Sequence, residues 1–202
     1  KVVIDDKMPR DLNDISSTLT KVKALKPDLL LLSGHSKGAA TGARQIKEMK
    51  IDVPMIALTH CEAAKITSKF GDSVNDFLCP TQWSETLTYK DKYFGTAADY
   101  DKLFKQTFDG YKNVPYQSAQ ATAAVLVWKD AFERANSLDP EKVRDAIAAT
   151  EMETFYGGIK FAPEGNNTAK PMVLRQIQNG QYNVVAPSKW ASHPVNWPRK
   201  AQ

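Results

Sequence analysis

The sequence predicts an α/β protein built on a parallel sheet, and two observations carry that prediction. Leu29 to Leu32 is an unbroken apolar run, as in a strand covered on both faces, and Met55 to Leu58 repeats it. A helical segment beginning near Lys37 separates them, so the stretch reads as a βαβ unit. A right-handed crossover then puts both strand C-terminal ends on one edge of the sheet, where open α/β folds gather their ligands. Ser33, Gly34, His35 and Ser36 close the first strand; Thr59, His60, Cys61 and Glu62 close the second.

The remaining elements follow in order. Lys1 to Ile4 reads as a short apolar strand, and Asp14 caps a helix whose Ile15, Leu19, Val22 and Leu25 recur at helical spacing until Pro27. A chain that opens on a buried strand reads as cut from something longer. Beyond the βαβ unit, Ala63 to Phe70 is a predicted helix stopped by Gly71, and Val74 to Cys79 a predicted strand. Pro80 to Thr96 then breaks the pattern with Trp83, Tyr89, Tyr93 and Phe94, as at a crossing between domains or in a surface loop with tucked aromatics.

Helices dominate the next stretch. Ala97 to Tyr111 carries Tyr100, Leu103, Phe104 and Phe108, Gln117 to Ala135 is rich in Ala, and Pro140 to Ala149 begins after the cap Asp139. These helices have no strands of their own to cover, which again predicts an incomplete chain. Gly157 to Phe161 reads as a turn into a strand, and Pro163 to Asn167 as a loop. Met172 to Gln178 and Tyr182 to Val185 form a predicted hairpin around Asn179-Gly180, before a loose tail holding Trp190, Trp197 and Pro198.

Composition excludes several classes. With 202 residues, 42% hydrophobic and 25% charged, the chain can bury one core or two small ones. Its net charge of +4 is dispersed, without a block of five like charges or interleaved aromatics, so no nucleic-acid partner is expected. No apolar run approaches the ~20 residues that cross a bilayer, so the chain is not expected to be membrane-embedded. Cys61 and Cys79 exclude a disulfide scaffold and a zinc cluster. Each closes a predicted strand, which suits a bridge between neighbouring strand ends as well as two buried thiols.

Gly34-His35-Ser36-Lys37-Gly38 matches G-x-S-x-G between a strand and a helix, the setting of a nucleophile elbow. Only about one βα unit precedes it, no HGG-type stretch is present, and neither His60 nor His193 has a reason to serve as the base beyond being histidine. The turn also lacks a phosphate-loop signature, since Lys37 precedes Gly38. The helix start near Lys37 still offers unpaired backbone N–H groups to an anion. His35 and His60 share one sheet edge, so their capping or core roles compete with a binding role; a metal would need Cys61 or Glu62 as a third ligand and is not expected.

Five runs taken in order resemble the second half of a branched-chain amino-acid type (Leu/Ile/Val-binding) periplasmic solute receptor of an ABC transporter. They are Asp14 with LTKVKALKPDLLLLSG, GARQIKEMKIDVPMIA, YQSAQATAAVLVWKDAFERAN, TFYGGIKFAPEGN and VLRQIQNGQYNVVAP, and the resemblance as a whole runs from Lys1 to about Lys189. The resemblance implies a type I periplasmic binding fold, with two α/β lobes joined by three crossovers around a ligand cleft. It assigns 1–82 to the second, C-terminal, Rossmann-like lobe, 83–169 to a mostly helical return to the first lobe, and 170–202 to a second-lobe hairpin and tail. It also implies that the first lobe's sheet lies outside this chain. Family members meet ligand with an aromatic on the first turn and often an acid on the second; here those positions fall on His35 and on Thr59 or His60. A carboxylate, amide or aromatic acid thereby becomes as suitable a ligand as an amino acid.

The expected function is therefore extracytoplasmic solute binding without catalysis, delivering a small metabolite to an ABC permease from the periplasm, or from a lipid anchor in a Gram-positive cell. A ligand-sensing domain of the same fold is one alternative, and a serine hydrolase using Ser36 is another. Expected ligand-binding residues are Ser33, Gly34, His35, Ser36, Thr59, His60 and Glu62, with Trp83 supplying an aromatic face. No cofactor and no metal are expected. Uncovered apolar faces near Tyr100, Phe104, Val125 and Trp128 predict dimerisation, strand exchange or a retained N-terminal piece.

Overall fold

The computed structural model describes residues 1–9, 13–170 and 172–199. Helix α1 (Ser16–Leu25), strand β1 (Leu29–Leu32), helix α2 (Ser36–Glu48), strand β2 (Met55–Leu58), helix α3 (Ile66–Phe70) and strand β3 (Leu78–Thr81) come first. A small ribbon of β4 (Lys90–Asp91) and β5 (Gly95–Thr96) leads to helices α4 (Ala97–Thr107), α5 (Tyr116–Ala135) and α6 (Pro140–Ala148). Strands β6 (Glu151–Thr154), β7 (Gly157–Lys160), β8 (Val173–Gln178) and β9 (Gln181–Ala186) complete the order. Two compact units result: Lys1–Thr81 with Leu174–Gln202, and Gln82–Val173.

In the first unit a five-stranded sheet runs β1-β2-β3-β8-β9. β1 and β2 are parallel with Leu29 opposite Met55 and Leu32 opposite Leu58, and β2 and β3 are parallel at Ala57 and Leu78. The parallel α/β architecture expected from the apolar runs is present. Ile15, Leu19 and Val22 of the α1 region, Ala43 and Ile46 of α2, and Ile56 and Leu58 of β2 form its buried core. Burying a side chain of this size stabilises by about 1.5–3 kcal/mol. Gly42 lets α2 approach the sheet, because a Cβ there would lie 2.7 Å from Leu32 Cδ1.

β8 and β9 form the hairpin predicted at Asn179-Gly180, whose φ angles of 53° and 75° are those a two-residue type I′ turn requires. In the second unit, Trp83, Phe94, Tyr100 and Phe155 form an aromatic core, with Tyr100 stacked on Phe155 at a centroid distance of 3.9 Å. Thr96 and Asp99 form a reciprocal capping box at the start of α4, and Asp139 accepts from Glu141 N–H and Lys142 N–H at the start of α6.

Several expectations are corrected. Lys1–Ile4 is irregular rather than a strand, with Val2 79% exposed and only Ile4 packing against the core. The double-sided cover expected of β1 is absent. It is the edge strand, and Leu29 and Leu31 are exposed while Leu30 and Leu32 face the helices. Leu25 is likewise exposed. α3 begins at Ile66, not Ala63, because Lys65 adopts a left-handed φ of 54°. The strand expected over Val74–Cys79 is displaced to Leu78–Thr81, because Asp76 has φ 66°, incompatible with an extended chain; Val74 and Phe77 anchor the intervening turn in the core.

Two further corrections concern surfaces. Tyr100 and Phe104 are buried by the aromatic core and by Phe108 and Tyr111, so they leave no uncovered face; Val125 and Trp128 remain exposed. The tail is not loose through residue 199. Gln176 Nε2 donates to Asn196 O, Gln178 Nε2 donates to Pro194 O, and Asn196 N–H donates to Gln176 Oε1. Two buried amides on β8 require these partners, and residues 194–196 satisfy them.

Candidate functional site

The two strand-end turns meet at the C-terminal edge of β1 and β2. β1 ends into Ser33 and Gly34; His35 takes an extended backbone as the N-cap of α2, and Ser36 opens the helix. Thr59 N–H donates to Leu32 O at 3.2 Å as β2 ends, and the Thr59 hydroxyl engages both backbone groups of Gly34 at 2.7 and 2.8 Å. His60 follows with φ 59°, and its ring lies 5.5 Å from that of His35. The Nδ1 atom of His60 is buried and has no hydrogen-bond partner.

Glu62 meets Arg175 of β8 in a two-armed ion pair, both N–O distances being 2.7 Å. Arg175 is buried, and the Tyr182 ring lies 4.9 Å from its guanidinium carbon. Burial pushes the Tyr182 hydroxyl up to about 12. Between His60 and Glu62, Cys61 is bridged to Cys79 with a Cα–Cα distance of 6.0 Å, which settles the alternatives left open by the sequence. An open groove of 410 Å³ runs beside the first turns of α2, lined by Ser36, Lys37, Arg44, Ala64, Lys69 and Phe70.

Ser33, Gly34, His35, Ser36, Thr59, His60 and Glu62 therefore lie on two adjoining turns of the first unit. Trp83 belongs to the second unit. It is 2% exposed, its indole N–H donates to Phe155 O at 3.3 Å, and Tyr100 and Phe155 pack edge to face with it. It is a core residue and offers no free ring face. Glu62 is likewise not a free acid, since Arg175 holds both of its oxygens. Among the described residues no group of three His, Cys, Asp or Glu side chains is arranged to hold a metal, and Ser36 has no hydrogen bond to a base.

Arg175 is the residue that sequence reasoning missed. Val173, Arg175 and Ile177 share one strand face, and the two aliphatic residues are fully buried. An arginine in core-facing register was the available signal, because a buried guanidinium demands an anion.

A parallel-sheet unit with its polar turns gathered at one strand edge is an architecture shared with known proteins. The profile of the family described as "Periplasmic binding protein" matches residues 1–181. The chain belongs to that family. Among solved structures, the leucine-binding protein LivK of Thermotoga maritima superposes with a TM-score of 0.74 at 22% identity, over 87% of this chain and 49% of that one. A putative branched-chain amino acid ABC transporter protein of Silicibacter pomeroyi gives 0.72 at 17% identity, over 93% and 51%. An ABC transporter solute-binding protein of R. palustris, solved in complex with benzoate, gives 0.68 at 17% identity, over 100% and 52%. This periplasmic binding protein thus shares their fold and spans about half their length. Among its described residues no helix is long and apolar enough to cross a membrane.

Proposed function

We propose that this periplasmic binding protein captures a small carboxylate- or carbonyl-bearing metabolite outside the cytoplasm and hands it to an ABC transporter permease. The observation that carries the reading is the pairing of His35 with His60 at 5.5 Å on turns tied together by Thr59 and Gly34. Imidazole N–H groups and the first N–H groups of α2 are donors, and donors gathered on one wall favour an anionic or carbonyl oxygen over an ammonium. With Glu62 neutralised by Arg175, the wall has no free acid to meet an amino group. The benzoate held by the R. palustris protein is a ligand of the same chemical kind. The Cys61–Cys79 bridge suits an oxidising, extracytoplasmic compartment. The role is binding without catalysis or cofactor, and the assignment of 1–82 and 170–202 to one lobe and 83–169 to the other belongs to this reading.

Calorimetry of the protein at its full natural length against amino acids, aromatic acids and amides, with His35→Ala and His60→Ala alongside, tests it. Binding of a carboxylate or amide that weakens at least tenfold in either variant is the expected result. Undiminished binding in both variants overturns the site, and tight binding only of cationic or plain aliphatic compounds overturns the ligand class.

A further inference from the structure

We propose that Arg175 is a specificity-determining residue of the strand-end wall: by gripping the Glu62 carboxylate it keeps that wall free of negative charge and so selects carboxylate over ammonium ligands. This rests on the reading above that the wall meets the ligand. Arg175 lies far from the turns in sequence, in a core-facing register between Val173 and Ile177, and its guanidinium donates through both terminal nitrogens to both Glu62 oxygens at 2.7 Å. That fork geometry matches a carboxylate as a lysine cannot. The Tyr182 ring covers the guanidinium at 4.9 Å.

Glu62 is the only acid on the two turns, 33–36 and 59–65. Its side chain keeps 27% exposure against 9% for that of Arg175, so the carboxylate sits where the buried cation meets the surface, two residues from His60. The charged groups nearest the turns, Lys37 in the first turn of α2, Lys65 at the N-cap of α3 and Lys69 within α3, are cations, and the acid of α2, Glu48, lies at its far end, paired with Arg44 at 2.8 Å. The sign of the wall toward a ligand therefore depends on whether Glu62 is paired. Replacing Arg175 by Met fills much the same space without charge and leaves the Glu62 carboxylate free to face solvent. One uncompensated charge several ångströms from a ligand in a partly hydrated site changes affinity by about tenfold.

The test uses Arg175→Met, Glu62→Gln and the double variant in the protein at its full natural length, with two readouts. The first is the ratio of affinities for benzoate and benzylamine by calorimetry; the second is the titration of the His60 imidazole by NMR, which needs no ligand. Arg175→Met should lower the benzoate-to-benzylamine preference about tenfold and move the His60 titration upward. Glu62→Gln, which can still accept from Arg175, should shift both in the opposite direction, and the double variant should return both toward wild type. A merely structural role would weaken both probes together and leave no reversal of sign. If Arg175→Met does not fold, the shift in Glu62→Gln decides the matter. Unchanged His60 titration in folded variants overturns the proposal. If wild type binds neither probe, the ligand class proposed above fails while the His60 titration still decides the role of Arg175.

Discussion

Thr59 closes a two-way hydrogen bond on Gly34: its hydroxyl donates to Gly34 O at 2.7 Å and accepts from Gly34 N–H at 2.8 Å. One side chain thereby fixes the end of β1 against the end of β2, and the two histidines on either side of that link take up their 5.5 Å spacing. Thr59→Val keeps the shape and removes the hydroxyl. The link is solvent-exposed, so water replaces part of what is lost, and the cost should be about 1 kcal/mol. Urea unfolding of Thr59→Val against Thr59→Ser measures it; equal midpoints would show that the link contributes nothing to stability.

The bridge between Cys61 and Cys79 ties the turn bearing His60 and Glu62 to β3 across a separation of 18 residues. Closing a loop of that size stabilises by about 3 kcal/mol in the chain-entropy account. Wild type in a dithiol reductant and Cys61→Ala/Cys79→Ala without it should unfold at the same, lower urea concentration. A wild-type midpoint that ignores reductant would contradict the assignment.

Lys170, half-buried, donates from its ammonium to Gln82 O and lies 4.3 Å from the centre of the Tyr156 ring, and this partial burial lowers its pKa from 10.5 to about 8. The folded protein releases this proton at lower pH than the unfolded chain does, so the unfolded state binds more protons between those two values. Stability from this group must therefore rise as pH climbs from about 8 toward 10.5. Burial acts oppositely on Tyr156 and Tyr182, raised from 10.0 to about 12, and their contribution is lost as pH rises through that interval. Between pH 8 and 10 Lys170 should dominate, and Lys170→Met should flatten the slope of unfolding free energy in that window; an unchanged slope would refute this.

Arg199 anchors the tail. Its backbone N–H donates to Pro54 O at 2.9 Å, and its guanidinium, buried at 9% exposure, donates to Ile51 O at 3.1 Å. Arg199→Ala should cost about 1–3 kcal/mol by leaving buried carbonyls unpaired, and should open residues after 190 to limited proteolysis. Resistance equal to wild type would show that Gln176 and Gln178 hold the tail unaided.

Features encoded by neighbours in sequence were legible without a structure. The apolar runs at Leu29 and Met55, the cap Asp139 and the Asn179-Gly180 turn act through periodicity, capping and local φ preference, so each appears where its residues predict. The paired strand ends followed from the βαβ crossover, which brought His35 and His60 to one edge. Tertiary structure decided the rest, because it depends on partners distant in the chain. Arg175 neutralises Glu62, Cys61 joins Cys79, Trp83 turns inward onto Phe155, and residues 194–196 satisfy buried amides of β8. No local pattern announces such pairings, since a buried charge or amide specifies only that a partner must exist, and the packing of the folded chain selects which one.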